Sequence, residues 1–153
     1  KLNFIKDVYL AKSIAHSTGF GNYLVHLDGR LAGGIIYDDS PTTRAAYGPR
    51  TIYLLSDVAT TTAGRISKLI AMIACSRSLL RPLELTMLKR YHRVVTTART
   101  PKPVSMKYRS IYKKLSRRWD ETEAANVIQY GAAASDETPQ QIYQRWWDKY
   151  GPG

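Results

Sequence analysis

The dipeptide Asp28-Gly29 constrains this chain more than any other feature. Asp-Gly tolerates the left-handed backbone that a two-residue hairpin turn demands, and it lies between two alternating apolar segments, Tyr23–Leu27 and Leu31–Tyr37. The sequence therefore predicts an antiparallel β-hairpin. An isolated hairpin is not stable in water, so the rest of the chain must extend it into a sheet and cover one face.

Two further strands are legible. Thr51–Ala59 alternates so that Ile52, Leu54, Ser56 and Val58 share a face, and 93–98 (RVVTTA) is β-branched. Ile66–Ile73 is compatible with a strand or a buried helix, because its apolar density is high and its periodicity weak; the element order takes it as a strand. Asp38–Arg50 reads as a turn-rich loop. Four helices are predicted. The first runs from Asp7 to Ser17, with Val8, Ala11, Ile14 and Ala15 on one face. The second begins at Pro82 and runs to Tyr91, with Leu83, Met87 and Leu88 inward. The third is opened by Pro103 and spans Val104–Arg118, with an apolar stripe of Val104, Tyr108, Ile111, Tyr112 and Leu115. The fourth, 138–150, has Thr138 as cap, Pro139 in the first turn and Gln141 completing a capping box. Its Ile142, Tyr143, Trp146, Trp147 and Tyr150 must pack on the domain or on a partner, so this helix is also a candidate interface. The reading is one domain, 1–153, of mixed α/β (α+β) class: a largely antiparallel sheet flanked by helices.

Charge narrows the partners. Between Val58 and Trp119 stand fifteen Lys or Arg and one acid, Glu84, while the rest of the chain is slightly acidic. Such asymmetry is the footprint of a polyanion, and nucleic acid is the expected partner. No apolar run approaches the roughly 20 residues that span a bilayer, and no membrane partner is expected. Lys1-Leu2-Asn3-Phe4 has no h-region, which predicts no signal peptide. The single Cys75 suits a reducing compartment such as the cytoplasm and reads as a small buried hydrophobe. Three scattered histidines and one cysteine make no zinc spacing, so no metal is expected. Phosphate contacts are assigned to Lys68, Arg99, Lys102, Lys107, Arg109, Lys113 and Lys114, the last five interleaved with Tyr108 and Tyr112 as stacking faces.

The order of elements resembles the GCN5-related acyltransferase fold. That resemblance implies an acyl coenzyme A donor, acetyl-CoA or another acyl-CoA, with its pyrophosphate on backbone amides at a helix start. The family's usual Gly-rich turn is absent. Gly64-Arg65 comes closest, and Ser76-Arg77-Ser78 is the alternative. Within residues 64 to about 118, Ile66-Ser67-Lys68-Leu69, Ser76-Arg77, the 93–98 strand and Ser105-Met106-Lys107-Tyr108 are similar in order to the phage Mom proteins, which modify adenine in DNA. The likeness matches Ser67 and Lys68 to a Leu-Ser-Arg step, and Tyr108 to a tyrosine after the splayed strand. The family's aspartate falls at Arg99 or Thr100, where no acid stands.

Acyl transfer to an amine needs a positioned thioester, a neutral nucleophile and a proton donor for the thiolate. Tyr108 is the candidate acid, or else a core aromatic. Asp57 is a candidate base, or else caps the turn after its strand. Ser67 is a candidate for polarising the acyl carbonyl, or else a satisfied strand serine. A displaced base could rest on Tyr37, Tyr47 or a tail tryptophan. Three functions follow: an acyl-CoA-dependent transferase acting on nucleic acid, of phage or mobile-element type; a non-catalytic binder using 104–118; or an acyltransferase for a protein or small amine.

Overall fold

The computed structural model describes residues 8–12, 21–60 and 65–151. Among the described residues, seven strands form one sheet: β1 (Val8–Lys12), β2 (Gly21–Leu27), β3 (Arg30–Asp38), β4 (Thr51–Ala59), β5 (Arg93–Thr100), β6 (Lys113–Asp120) and β7 (Ala125–Ala133). Their spatial order is β1-β2-β3-β4-β5-β7-β6. Every neighbouring pair is antiparallel except β4 and β5, which are parallel. The described residues also form four helices: α1 (Pro41–Tyr47), α2 (Ile66–Ile73), α3 (Arg77–Met87) and α4 (Pro139–Tyr150). The predicted mixed, largely antiparallel class is the one observed.

The hairpin forms on its Asp-Gly turn, with φ of 51° at Asp28 and 77° at Gly29. The core lies between the sheet and α2, α3 and α4. Val25, Ile35, Ile52, Leu54, Val94 and Ile128 are fully covered there by Leu69, Ile70, Ile73, Leu79 and Leu80. Gly33 makes the closest approach: a Cβ there would stand 2.4 Å from the Val58 carbonyl and 2.9 Å from Ile70, so only glycine lets α2 sit this near the sheet. α4 keeps the predicted cap: the Thr138 side chain accepts from Gln141 N, and the Gln141 side chain accepts from Thr138 N. Its Ile142, Tyr143 and Trp146 are buried against α2 and β1. No described helix is long and apolar enough to cross a membrane.

Several elements differ from the sequence reading, each for a nameable reason. Val8–Lys12 is a strand paired with β2, not part of a helix; the rest of the predicted 7–17 helix lies outside the described residues. The loop after β3 contains α1, because Ser40 caps Thr43 N and Pro41 opens the first turn. Ile66–Ile73 resolves as a helix, buried except for a half-buried flank that carries Ser67 and Lys68. α3 starts five residues before Pro82, because Ser76 caps it by accepting from Ser78 N; Pro82 sits inside. Leu83 is buried as expected, but Met87 is 38% and Leu88 90% exposed, since the helix stops at Leu88 in a left-handed conformation.

The largest difference is at 104–118. The spacing of Tyr108 and Tyr112 is helical, and Tyr112 N does donate to Tyr108 O at 2.9 Å, but the turn is not propagated. Ser110 takes φ 72°, and Lys113–Asp120 becomes an edge strand because the apolar strand β7, unread in the sequence, offers it an antiparallel ladder, interrupted only at Leu115. Finally, Leu55 is an extra residue opposite β3, where Ile36 pairs Ser56 and Tyr37 pairs Leu54. This β-bulge reverses the alternation: Val58 is 61% exposed and Asp57 is turned into the core, contrary to the face read from sequence.

Candidate functional site

β4 and β5 hold parallel register at only three positions, Thr51–Arg93, Ile52–Val94 and Tyr53–Val95, although both strands continue beyond. The sheet opens there. Side chains continue the bridging, with Thr96 Oγ1 donating to the Leu54 carbonyl at 2.9 Å and Tyr53 Oη to Thr97 Oγ1 at 2.8 Å. The bulge at Leu55 falls at the start of the opening, and it delivers Asp57 to the face shared with α2.

The segment 101–112 crosses the opening on that face. Tyr108 Oη lies 2.8 Å and 3.0 Å from the two carboxylate oxygens of Asp57. Its ring stands 5.2 Å from Tyr112 and from Tyr130. Lys107 Nζ donates to the Asp57 carbonyl and is 2.9 Å from Asp57 Oδ2. Burial raises the proton affinity of Asp57 above that of an ordinary carboxylate, although the Lys107 charge and both hydrogen bonds pull the other way. Burial also raises the Tyr108 phenol well above its usual value, and the neighbouring Asp57 charge adds to this. An acid, a hydroxyl and an amine thus share one hydrogen-bonded cluster.

Beside it lies a cleft of about 430 Å³ lined by Arg65, Ser67, Lys68, Met106, Lys107, Arg109, Ser110 and Tyr150. Four of these eight are cations and none is an acid. Arg65 and Lys68 both stand over the Tyr150 ring, at 5.4 Å and 5.5 Å. Lys68 Nζ donates to the carbonyls of Lys107 at 3.1 Å and Arg109 at 2.6 Å, tying α2 to the crossing segment. Burial lowers its pKa, and the charges of Arg65, Lys149 and Arg109 lower it further. The start of α2 faces this cleft. Arg65 occupies the cap position at φ 58° and makes no side-chain cap, whereas Ser40, Ser76 and Thr138 each cap their helices. Uncapped first-turn amides among cations suit a phosphate donor set. Trp146 Nε1 fixes this corner by donating to the Arg65 carbonyl at 3.2 Å.

The sequence candidates fall into groups. Asp57, Tyr108, Ser67, Lys68, Lys107, Arg65 and Arg109 come together at the opening and its cleft; Gly64 lies outside the described residues. The alternative turn is engaged internally. Ser76 Oγ donates to the Glu137 carbonyl, and Arg77 bridges Glu84, the Tyr91 carbonyl and Asp136; Ser78 is exposed beside them. Arg99 pairs with Glu123 at 3.4 Å, and Lys114 Nζ donates to the Pro103 carbonyl. Lys102 and Lys113 are exposed. Tyr37 is fully buried, its hydroxyl donating to the Ala74 carbonyl, so no base can rest on it. Tyr47 lines a second cavity of about 390 Å³ on the opposite face, with Tyr53, Leu55, Thr97 and Gln129. Cys75 is buried, which pushes its thiol up to about 11 and leaves it a poor nucleophile. The sequence did not assign Lys107 to Asp57, nor Tyr150 to the cleft. The only prior signal for the first was a lone carboxylate inside an apolar strand.

A sheet that parts between two central parallel strands, with an uncapped helix start and a buried acid at the parting, defines an acyltransferase-type fold of the GCN5-related kind. A family model described as the phage GNAT-like domain matches residues 1–151, and the chain belongs to that family. An acetyltransferase structure of the GNAT family from Desulfovibrio desulfuricans is similar at 14% identity, with 84% of this chain and 100% of that one covered and a TM-score of 0.51. The Salmonella typhimurium acetyl transferase that modifies the N-terminal serine of ribosomal protein L7/L12 is 12% identical over 77% of this chain and 66% of that one, with a TM-score of 0.47. An aminoglycoside acetyltransferase solved with coenzyme A is 9% identical over 82% and 69%, at 0.46. No curated protein sequence matches the chain.

Proposed function

We propose that this phage-type GNAT protein transfers an acyl group from an acyl coenzyme A to an amine on a nucleic acid. The observation that carries the reading is the Asp57–Tyr108 pair at the opening of the sheet, next to the cationic cleft. Amides of the first turn of α2, with Arg65, Lys68 and Arg109, would hold the coenzyme's phosphates. The bound coenzyme supplies an activated thioester. The Asp57 carboxylate, whose proton affinity burial raises, takes a proton from the incoming amine. Tyr108 orients that carboxylate and stands by as donor to the leaving sulfur.

The acceptor is read from charge. Lys113, Lys114, Arg117 and Arg118 are all exposed on the edge strand β6, and Lys102 is exposed on the segment that leads to it. Such a row exceeds what one coenzyme needs and suits a phosphate backbone. The test has two arms. A thermal shift with acetyl-CoA and, separately, with short DNA and RNA measures binding; mass spectrometry of nucleosides from expressing cells measures transfer. The reading expects a coenzyme shift, a nucleic-acid shift and a new nucleoside adduct that disappears in Tyr108→Phe. A nucleic-acid shift with no coenzyme shift would instead identify a non-catalytic binder, and a coenzyme shift alone would point to a protein or small-amine acceptor.

A further inference from the structure

Lys107 lies in the sequence's basic run, yet its amine is engaged within the protein by Asp57. Nζ donates to the Asp57 carbonyl, stands 2.9 Å from Asp57 Oδ2 and sits 5.5 Å from the centre of the Tyr108 ring. Its side chain keeps 26% of its exposure, and the residue lines the cationic cleft. An acceptor amine would have to occupy this same position: hydrogen-bonded to the carboxylate that takes its proton, beside the hydroxyl and open to the cleft.

From this we infer that Lys107 is itself an acyl acceptor, so that the protein acylates its own Lys107 Nζ from acyl coenzyme A. The inference rests on the acyl-donor half of the proposed function and not on the nucleic-acid half. The Lys107 ammonium gives one proton to the Asp57 carboxylate. The neutral amine then forms a C–N bond to the acyl carbon while the C–S bond of the thioester breaks, and the nitrogen loses a second proton as the amide forms. The sulfur leaves as the free thiol with one of these protons, and the other passes to solvent. No oxidant or co-reactant is required. An amine held on its own base has the advantage of an intramolecular reactant over a free amine. Acylation would remove the Lys107 charge and the Lys107–Asp57 ion pair, releasing Asp57 to receive an external amine; modification of Lys107 would thereby switch the site from self-directed to substrate-directed.

The test incubates the whole protein with acetyl-CoA and follows each lysine-containing peptide by mass spectrometry. The expected result is one acetyl group on Lys107, gained well before any on Lys113, Lys114 or Lys149. Asp57→Asn should slow this labelling roughly a hundredfold, the effect of losing a positioned base. Lys107→Arg, which retains a cation for Asp57, should abolish the single-site mass increase. Labelling of all exposed lysines at one rate, unaffected by Asp57→Asn, would overturn the inference. Coenzyme A binding is read separately by thermal shift. No binding overturns both this inference and the proposed function. Binding without Lys107 labelling overturns this inference alone.

Discussion

The opening between β4 and β5 and the outer edge of the sheet at β6 are built from the same residue types and end in opposite states. At the opening, Lys68 and Lys107 spend their amines on carbonyls and on Asp57, and Tyr108 is buried against Tyr130. Along β6, Lys113, Lys114, Arg117 and Arg118 stand exposed. The contrast teaches that a run of positive charge is two things at once. Part of it is a surface potential in which individual residues are interchangeable. The rest is a set of specific contacts in which each residue has one place.

The largest expected effect tests whether the opening depends on packing behind it. Trp146 is fully buried and holds the Arg65 carbonyl, so Trp146→Ala should cost about 3–5 kcal/mol in denaturant unfolding. A loss under about 1 kcal/mol would mean that α4 does not support this corner. Next comes the chemistry. Tyr108→Phe should lower acyl transfer by about a hundredfold or more, while folding stability falls by only about 1–2 kcal/mol for the lost hydrogen bonds. Transfer at the wild-type rate would reduce Tyr108 to a core aromatic.

A third measurement separates the two regions by pH. Burial raises the Asp57 pKa above its unfolded value. In the window between the two values the native state binds more protons, so this group's contribution to stability is greatest below the ordinary carboxylate range and declines as pH rises through the raised value. Melting temperature against pH should therefore lose a declining component in Asp57→Asn and keep it in Lys113→Gln. The smallest effect on stability belongs to the edge. Replacing Lys113, Lys114, Arg117 and Arg118 with Gln should change unfolding free energy by no more than about 0.5 kcal/mol each. The same variant should flatten the salt dependence of DNA binding by about 3–4 units of log–log slope. A large loss of stability would show that β6 is structural charge after all.

Much of the fold was legible because its signals are local. Asp28-Gly29 dictates its own turn, Thr138-Pro139 with Gln141 closes its own cap, and the β-branched residues after Arg93 suit a strand wherever they land. The candidate site was legible as a set of residue types, Asp57 and Tyr108 among them, but not as an arrangement. The bulge at Leu55 depends on pairing with β3, so the sequence alternation placed Ser56 and Val58 inward when Asp57 takes that direction.

The sequence by itself thus determined the hairpin, β4, β5, α4 and the concentration of positive charge, since each follows from a propensity or pattern within about a dozen residues. Only the tertiary structure decided that 113–120 is an edge strand rather than a helix, that Lys107 turns inward, and that the sheet parts beyond Tyr53. Those outcomes rest on contacts with partners far along the chain, Tyr130 and Gly131 on β7 or Asp57 on β4, whose gain in hydrogen bonding and burial outweighs the weak local preference for helix.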